Sequence, residues 1–542
     1  KKGIIMNKSM KQLTQFAACA VAALSVVACS SEDSAQQDNA KQNTTKGVAT
    51  FDGSQPGDDT RALTRTTATY TLGGDAKVFW TSADKIFVQD DANTFHQSGA
   101  ANLYNPSNKA KATFSLASGS FTLNNREVRY TGENGTDANT VTIASTQTQT
   151  TANDFSHLGT SGDCGTATAT GSNGNYTFTL NHKASYLCFV PRCMNTDLGP
   201  NIKLTKIKVT ADQPIAGKYD FSTGSLAQKA GETYSNTITL NTSDFSLNTT
   251  VSSLATNGAY MVVAPGTYNF TITYTIKDPT TNVSGTIVKQ INSLNCAEGK
   301  ISDITANIMI DDVSGTYYTW DGANGNNYWK GHDRDASGKY LSTLTQNGSV
   351  TPNYPTAGDS RWYNTAYGYQ QSNPATRSAA NQPNINFMAH YVNFGDPHWD
   401  ADKIWSVYGH LFKGGIWLKK KTTPGFPNKY NDFWGIDYRN SGNGAVDPRG
   451  DITYTTPIPL TELQKVNYFF LPASGYYENG KAIGLGQGGH YWTSSASSST
   501  SVVGGSATIS GAELAWYIFF DDHRIHVRQY IRRLGSRIAT FY

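Results

Sequence analysis

The clearest pattern in the chain is an alternation of apolar and polar side chains over residues 268–277. The apolar positions share one face: Tyr268, Phe270, Ile272, Tyr274 and Ile276. A period of two over this length predicts a strand with one buried and one solvated face. Residues 237–240 and 301–308 read as further strands.

The rest of the first 310 residues also has the pattern of short strands. Apolar positions change phase between Leu204 and Ile207, which predicts a bulge or bend. Turn residues recur at 73–74, 134–135, 172–174 and 265–266, and this punctuation favours β-sandwiches.

Two elements are predicted near the end of the chain. Residues 515–520 and 524–528 flank a polar turn and predict a β-hairpin. Residues 461–467 predict a short turn of helix.

Composition divides the chain. Nine of the ten tryptophans follow residue 312, whereas no cysteine follows Cys296. This shift predicts a separate aromatic-rich domain at 313–542. The strand-like segments before it divide at about residue 235, where the Thr237 strand opens, and predict two sandwich domains at 50–234 and 235–312. The net charge of +3 is too small for a nucleic-acid surface.

The N-terminal segment reads as an export signal. An apolar run at 16–27 is too short to span a bilayer and predicts a signal peptide at 1–28. Small residues before Cys29 are similar to a bacterial lipobox, which implies acylation of Cys29 and a flexible tether at 29–49. The alternative is a plain signal peptide with an incidental cysteine.

Four cysteines remain for the exported protein: Cys164, Cys188, Cys193 and Cys296. They allow three disulfide pairings, among which the sequence does not choose, and buried thiols are an equal alternative. No zinc-finger spacing is present, and we expect no metal site.

Residues 80–88, beginning Trp80-Thr-Ser-Ala-Asp-Lys-Ile, and the arginines of Thr60-Arg61-Ala-Leu-Thr-Arg65 resemble the fimbrillins of Bacteroidetes. Ala83 stands where that family usually has glycine. The resemblance, supported by the lipobox at Cys29, implies a pilus subunit with two β-sandwich domains.

Residues 313–542 resemble the major paralogous domain of Fibrobacter and Bacteroidetes surface proteins, which has a C-type-lectin-like fold. The matching segments are 414–420, 468–473, 474–477, 490–495 and 515–520. The two resemblances together imply a mainly β chain, with two fimbrillin-like β-sandwich domains followed by a C-type-lectin-like α+β domain.

The fimbrillin resemblance implies assembly by donor-strand exchange. In that family an arginine-specific protease removes a strand of the first sandwich, and the donated strand of a stalk fimbrillin fills the groove. Arg61 is the first candidate for the cut and Arg65 the second; the alternative is two ordinary loop arginines. Because residues 540–542 end within the aromatic domain with no free appendage, we expect a tip position.

A tip domain would bind a glycan or another ligand on a host or bacterial surface. Aromatic rings stack on sugar C–H groups, which makes five residues candidates: Trp399, Trp405, Trp434, His490 and Trp492. The structural alternative is that such residues, notably Trp492 and Trp516 on strand-like segments, belong to the core.

The sequence favours no enzyme. Residues 484–489 fit G-x-G-x-x-G, but a strand-like segment follows instead of a helix, so we expect no dinucleotide or other cofactor. Residues 333–338 begin like a calcium loop but lack the closing acidic residue. Formylglycine-generating enzymes share the lectin-like fold, yet residues 313–542 contain none of the cysteines they use.

Three functions stay open at this point. The first is a fimbrial tip subunit, attached to the outer membrane by its lipid and moved to the fimbrium after processing. The alternative is an outer-membrane surface lipoprotein that binds glycans for nutrient uptake. A polysaccharide-cleaving enzyme is a third, although no pair of carboxylates stands out.

Overall fold

The computed structural model describes residues 49–55, 70–74, 78–105, 108–366, 374–427, 435, 437–439, 452–453, 459–497, 501–503, 507–509 and 513–542. The predictions for residues 1–28, Cys29, Arg61, Arg65 and Trp434 lie outside these residues. Strands account for 47% and helices for 7%, so the chain is mainly β, as predicted. No helix in the described ranges is long and apolar enough to cross a membrane.

The strands of the first 310 residues are β1 Ala49–Ser54, β2 Phe87–Gln89, β3 Phe95–Gln97, β4 Asn102–Asn105, β5 Asn108–Leu116, β6 Arg126–Tyr130, β7 Thr140–Ile143, β8 Thr146–Gln149, β9 Gly165–Ser172, β10 Asn175–Thr179, β11 Asn181–His182, β12 Ser185–Cys193, β13 Lys203–Ala211, β14 Ala216–Asp220, β15 Tyr234–Ser235, β16 Thr237–Ser246, β17 Ala259–Val263, β18 Gly266–Asp278, β19 Val283–Cys296 and β20 Ile301–Ile308. Two short helices, α1 Leu158–Ser161 and α2 Leu254–Asn257, and a 3-10 turn, Gly199–Asn201, connect them.

The strands that follow are β21 Tyr317–Tyr318, β22 His398–Val407, β23 His410–Lys419, β24 Ile452–Thr453, β25 Tyr468–Pro472, β26 Ser474–Glu478, β27 Lys481–Leu485, β28 Gly488–Ala496, β29 Ser501–Val503, β30 Ala507–Ile509, β31 Leu514–Asp521, β32 Arg524–Ile531 and β33 Ser536–Arg537. A 3-10 turn, Ser342–Thr345, and two helices, α3 Ile385–Phe394 and α4 Glu462–Lys465, complete this part. Helix α4 has the capping box Thr461–Gln464 and confirms the predicted helical turn.

The first sandwich is a sheet in the order β3-β2-β6-β9-β10-β1-β5-β4, with β11 paired to β9. Val88 near one end of this order and Phe114 near the other belong to one core cluster. The sheet therefore folds over a single core, which Trp80 fills with its fully buried indole.

The second sandwich consists of three sheets, in the orders β17-β12-β20, β19-β18-β13-β16-β8 and β15-β14-β7, around one core cluster. The predicted alternation over 268–277 is confirmed, since the apolar side chains of β18 are buried. The predicted bulge is also confirmed: the register of β13 against both neighbours shifts between Leu204 and Lys206.

Strand pairing crosses the predicted boundary between residues 234 and 235. Strand β13 pairs with β16, and β12 pairs with β17 and β20, so segments on both sides of that boundary share sheets. Strands β7 and β8 join the same sandwich from residues 140–149. By strand pairing, the first sandwich ends near β11 and the second begins at β12.

Two buried glutamines of β8 hydrogen-bond to the edge of β17, which belongs to a different sheet. The side chain of Gln147 accepts from the N–H of Val262 at 2.9 Å and donates to its carbonyl at 2.8 Å. Gln149 accepts from the N–H of Tyr260 at 2.7 Å and donates to the carbonyl of Gly258 at 2.9 Å. The two amides thus satisfy an edge of β17 that would otherwise be buried without partners.

We expect Gln147→Leu to lower the free energy of unfolding by about 1–3 kcal/mol, because it leaves a buried N–H and a buried carbonyl of Val262 unpaired. Denaturant unfolding monitored by hydrogen exchange of β17 measures the change. Gln290→Leu, on an exposed position of β19, is the control and should change stability by less than about 0.5 kcal/mol. Equal effects of the two variants would contradict the bridging role of Gln147.

The C-terminal part is built on a sheet in the order β21-β33-β28-β31-β32-β24, with β26 and β27 beside β28, and on a smaller sheet β22-β23-β25. Strands β31 and β32 pair in antiparallel register from Leu514↔Ile531 to Phe520↔Ile525, which confirms the predicted hairpin. Helix α3 packs on this hairpin through a shared apolar cluster that contains Met388, Ile518 and Val527.

The C-terminal part contacts the second sandwich through a buried carboxylate at the end of β18. Asp278 is fully buried; its Oδ2 lies 2.9 Å from Nδ1 of His410 and accepts from the N–H of Leu411 at 3.0 Å. Leu411 and Ile404 belong to the core cluster of the second sandwich. This interface therefore combines apolar contacts with a buried, hydrogen-bonded carboxylate at Asp278, and a more exposed ion pair between Asp197 and Arg334 also crosses it.

Candidate functional site

Strand β1 is inserted between two strands of the first sandwich. It pairs in parallel with β10 over Thr50–Ser54 and antiparallel with β5 over Ala49–Ser54, without a shift in register. The sequence Ala-Thr-Phe-Asp-Gly-Ser alternates, so Ala49, Phe51 and Gly53 are buried while Asp52 is exposed. The strand is thus held by backbone hydrogen bonds at both edges and by side chains on one face.

The ring of Phe51 is the main apolar anchor of β1. It is fully buried, stacks on Tyr176 with centroids 4.7 Å apart and meets the edge of Phe121 at 5.5 Å. At Gly53 a Cβ would lie 2.5 Å from the ring of Phe178, so a side chain there would displace that ring. The slot occupied by β1 therefore accepts a small residue at position 49, a large one at position 51 and a small one at position 53.

The chain on both sides of residues 56–69, which carry Arg61 and Arg65, is anchored in different sandwiches. Before them, Gln55 Oε1 lies 2.9 Å from Nε2 of His182 in the first sandwich. After them, Tyr70 is buried in the core cluster of the second sandwich and donates its hydroxyl to Asp303 at 2.6 Å. Residues 56–69 therefore connect two fixed points.

A small cavity of about 10 Å³ lies beside Gln55, and Trp80, Asp84 and Tyr130 are among its lining residues. Asp84 is 2% exposed and accepts from the Tyr130 hydroxyl and the N–H of Thr81, each at 2.6 Å. Burial raises the pKa of Asp84 to about 6 despite these hydrogen bonds. The indole N–H of Trp80 has no hydrogen-bond partner among the described residues.

We expect Asp84 to make the first sandwich more stable as the pH falls from about 6 to about 4. Its pKa is about 6 in the folded chain and about 3.9 when unfolded, so only the folded protein gains a proton in this window. Relative to Asp84→Asn, the wild type should gain up to about 3 kcal/mol. Thermal unfolding of both proteins between pH 7 and 4 measures the difference.

Buried histidines oppose this trend in the same window. Burial lowers the pKa of His157, so its protonation favours the unfolded chain below about pH 6.5. Because His157 is present in both proteins, its contribution cancels in the comparison. A constant difference between wild type and Asp84→Asn across this range would contradict the assignment to Asp84.

The predicted ligand residues of the C-terminal part lie in different environments. Trp405 and Trp492 are fully buried, and their indole N–H groups donate to the carbonyls of Gly414 at 2.9 Å and Tyr318 at 2.8 Å. Trp399 is half-buried against the apolar cluster under the hairpin. Among the described candidates, His490 and Trp492 contact each other, with ring centroids 5.7 Å apart, and Trp399 and Trp405 both lie against Gly414.

His490 is one of the residues that line an open concavity of about 220 Å³. The lining residues come from β26, β28, β31 and β32 and are Tyr476, His490, Tyr517, Phe519, Arg524, His526, Arg528 and Tyr530. Except for His490, sequence reasoning missed them. The available signal was the hairpin itself, since Tyr517 and Phe519 alternate with the core residues Trp516, Ile518 and Phe520.

The four cysteines left open by the sequence are free, buried thiols: Cys164, Cys188, Cys193 and Cys296. Burial raises the pKa of each thiol, to about 12 for Cys296. The structure thus agrees with the buried-thiol alternative, and thiols of this kind are poor nucleophiles.

No family model matches the chain, and no curated protein matches it. Among solved structures, it is similar to a candidate cell adhesion protein of Bacteroides ovatus, at 15% identity over 48% of this chain and 92% of the other, with a TM-score of 0.30. A candidate cell adhesion protein of Bacteroides uniformis is similar at 15% identity, with 49% and 94% covered and a TM-score of 0.30. A fimbrial protein of Bacteroides ovatus is similar at 12% identity, with 56% and 62% covered and a TM-score of 0.21. All three TM-scores lie below 0.5.

Proposed function

We propose that this chain is a cell-surface fimbrial tip subunit, in which strand exchange at the position of β1 joins it to a stalk fimbrillin and the C-terminal domain mediates adhesion. The observation that carries the proposal is the insertion of β1 between β10 and β5, directly before residues 56–69. These residues contain both candidate cleavage sites, Arg61 and Arg65.

Cleavage after Arg61 separates β1 from the rest of the chain. Strand β1 is then held only by non-covalent contacts, and its departure exposes the paired edges of β10 and β5. Unpaired N–H and carbonyl groups on both sides of an open slot bind an extended segment strongly. A donor strand satisfies them and places a large apolar side chain where Phe51 lies.

The packing of residues 536–541 supports the tip position. Strand β33 pairs with β21 and β28, and Phe541 belongs to the apolar cluster beneath α3. A segment held in this way does not extend into the slot of a neighbouring subunit. In this role the chain accepts a strand and presents its C-terminal domain outward.

Acylation of Cys29 attaches the unprocessed chain to the outer membrane, and the cut at Arg61 releases the folded body from the lipid. Export then precedes assembly, because the slot stays filled by β1 until cleavage. This order protects the sheet edges from pairing with other chains.

The test is cleavage of the full chain by an arginine-specific protease, followed by N-terminal sequencing and addition of a labelled peptide with the sequence of residues 47–61. We expect a new N-terminus at Ala62 and binding of the peptide to the cleaved chain only. A peptide carrying Phe51→Asp should not bind, and a chain carrying Arg61→Ala and Arg65→Ala should stay uncut.

Two results would overturn strand exchange. One is a cleaved chain that keeps residues 49–61 and takes up no added peptide. The other is a mature surface protein that begins at lipidated Cys29, which would favour the glycan-binding lipoprotein instead.

A further inference from the structure

The solvent side of the hairpin β31–β32 has an unusual surface. One face of the hairpin packs on α3 through Trp516, Ile518, Phe520, Ile525 and Val527. The opposite face of such a sheet is ordinarily polar, yet here it carries Tyr517, Phe519, His526, Arg528 and Tyr530, which line the concavity described above. Cross-strand pairs such as Tyr517↔Arg528 and Phe519↔His526 fix these side chains relative to one another.

The aromatic rings of the concavity hold each other in place. His490 stacks on Tyr517 with centroids 3.7 Å apart, and Phe519 stacks on His526 at 5.0 Å. Tyr476 meets His490 at 5.0 Å from the neighbouring strand β26. Rings that are already fixed in this way can bind the flat apolar face of a ligand without losing further side-chain entropy.

The charged side chains that line the concavity are both arginines. Arg524 and Arg528 line it, and none of the described lining residues is acidic. At its rim, Asp521 accepts from Nε of Arg524 at 3.0 Å, while the guanidinium of Arg524 lies 5.6 Å from the ring of Phe519. Two further carboxylates lie near the rim. Asp522 lies within 4.8 Å of the Asp521 carboxylate and pairs with His523. Glu478 contributes to raising the pKa of Tyr476 and Tyr530, after the larger effect of burial.

His490 adds a buried polar atom to the lining of the concavity. Its Nδ1 has no hydrogen-bond partner within the part of the chain that the structure describes, and the residue is 3% exposed. Burial, with a contribution from nearby His526, keeps the pKa of His490 well below its usual value, so the ring is neutral. A neutral imidazole offers one donor and one acceptor to a ligand hydroxyl.

Size narrows the class of ligand. Pockets for drug-sized molecules measure about 300–1,000 Å³, whereas this concavity measures about 220 Å³. It therefore suits a single small ring. Aromatic walls suit the C–H faces of a pyranose, and guanidinium groups suit a carboxylate or a sulfate.

We infer that the concavity of β26, β28, β31 and β32 binds a single acidic sugar residue, a uronic acid or a sulfated pyranose, through Arg524, Arg528 and the surrounding rings. The inference rests on the proposed adhesive role and gives it a ligand class. Arg524 and Arg528 hold the anionic group, and Tyr517, Tyr530 and His490 face the ring and its hydroxyls.

The test is calorimetric and ligand-observed NMR titration of the full chain with methyl β-D-glucuronide, glucose 6-sulfate and methyl β-D-glucoside. The two acidic sugars should bind at least about tenfold more tightly than the neutral one, because the free energy of one hydrogen bond to a charged group corresponds to about a tenfold change in affinity. Added salt should weaken binding of the acidic sugars only.

Variants locate the site. Arg524→Gln combined with Arg528→Gln should lower the affinity for methyl β-D-glucuronide by about tenfold or more. Both arginines are exposed, so the substitutions leave the core intact. Arg377→Gln, an exposed arginine of the same domain outside the concavity, is the matched control and should bind as the wild type does.

Three results would overturn the inference: equal binding of the glucuronide and the glucoside, an unchanged affinity in the double variant, or inorganic sulfate bound as tightly as glucose 6-sulfate. None of them affects strand exchange, which is measured separately by peptide uptake in the cleaved chain. A failure of peptide uptake with acidic-sugar binding intact would instead overturn the fimbrial role and retain the sugar site.

Discussion

Phe51→Ala is expected to destabilise the first sandwich by about 3–5 kcal/mol, the usual cost of removing a buried aromatic ring. The reason is the position of Phe51, fully buried between Tyr176 and Phe121 on a strand that has few other large side chains. Hydrogen exchange of the amides of β5 and β10 measures the change, because these amides lose protection when β1 leaves its slot.

The control for this variant lies on the opposite face of the same strand. Asp52 is exposed and accepts a hydrogen bond from Thr113 Oγ1, so Asp52→Ala should cost less than about 1 kcal/mol. After cleavage at Arg61, a cost of 3 kcal/mol or more at Phe51 corresponds to an increase of at least about a hundredfold in the dissociation constant of β1. If both variants released the strand equally, Phe51 would not be its anchor.

Asp278→Ala is expected to lower the free energy of unfolding by about 3–5 kcal/mol and to loosen the C-terminal part from the second sandwich. The substitution leaves the N–H groups of Leu411 and Thr280 and the imidazole of His410 without their common acceptor in a buried interface. Limited proteolysis, together with thermal unfolding at neutral pH, measures both effects.

The pH dependence gives an independent check. Burial by itself would raise the pKa of Asp278, but the hydrogen bonds from His410 and Leu411 hold it below its usual value. Because the pKa of Asp278 is lowered in the folded chain, its contribution to stability is complete above the unfolded pKa of about 3.9. This contribution is lost as the pH falls through the folded pKa. Wild type and variant should therefore converge in strong acid.

Asp402→Ala is the matched control, because Asp402 is 92% exposed in a surface pair with Lys413. A surface pair contributes at most about 1 kcal/mol. A similar loss in the two variants would mean that Asp278 has no special role in the interface.

Local patterns in the sequence predicted local structure well. The alternation in β18, the bulge between Leu204 and Lys206, the hairpin β31–β32 and the capping box at Thr461 all depend on residues close together in the chain. Period, turn chemistry and capping are properties of short segments, so a single sequence is sufficient to reveal them.

Non-local pairing was not visible in the sequence. The division at 234/235 followed the order of local strand-like segments, whereas strands β12 and β13 pair with strands more than 25 residues away on the other side of it. Gln147 and Gln149 looked like polar strand residues, and only the approach of β17 shows that their amides replace backbone partners. Pairing between distant strands depends on the whole chain, which no local pattern encodes.

The candidate ligand residues show the same limit. His490 was identified as a strand residue near aromatic neighbours, but the concavity beside it requires four strands to come together. Tryptophan is a residue type that stacks on sugars, but the side chains of Trp405 and Trp492 lie on the buried faces of their strands. Residue type suggests a chemistry, and only the face on which it lies decides whether a ligand can reach it.

The two-sided pairing of β1 has a mechanical consequence. A segment bonded to β10 on one edge and to β5 on the other, without a shift in register, cannot be peeled off bond by bond when tension is applied along its axis. All hydrogen bonds in both rows are loaded at the same time in shear, and they must break together. A partner segment seated in that slot would thus keep hold of the subunit under flow, even though no covalent bond connects the two.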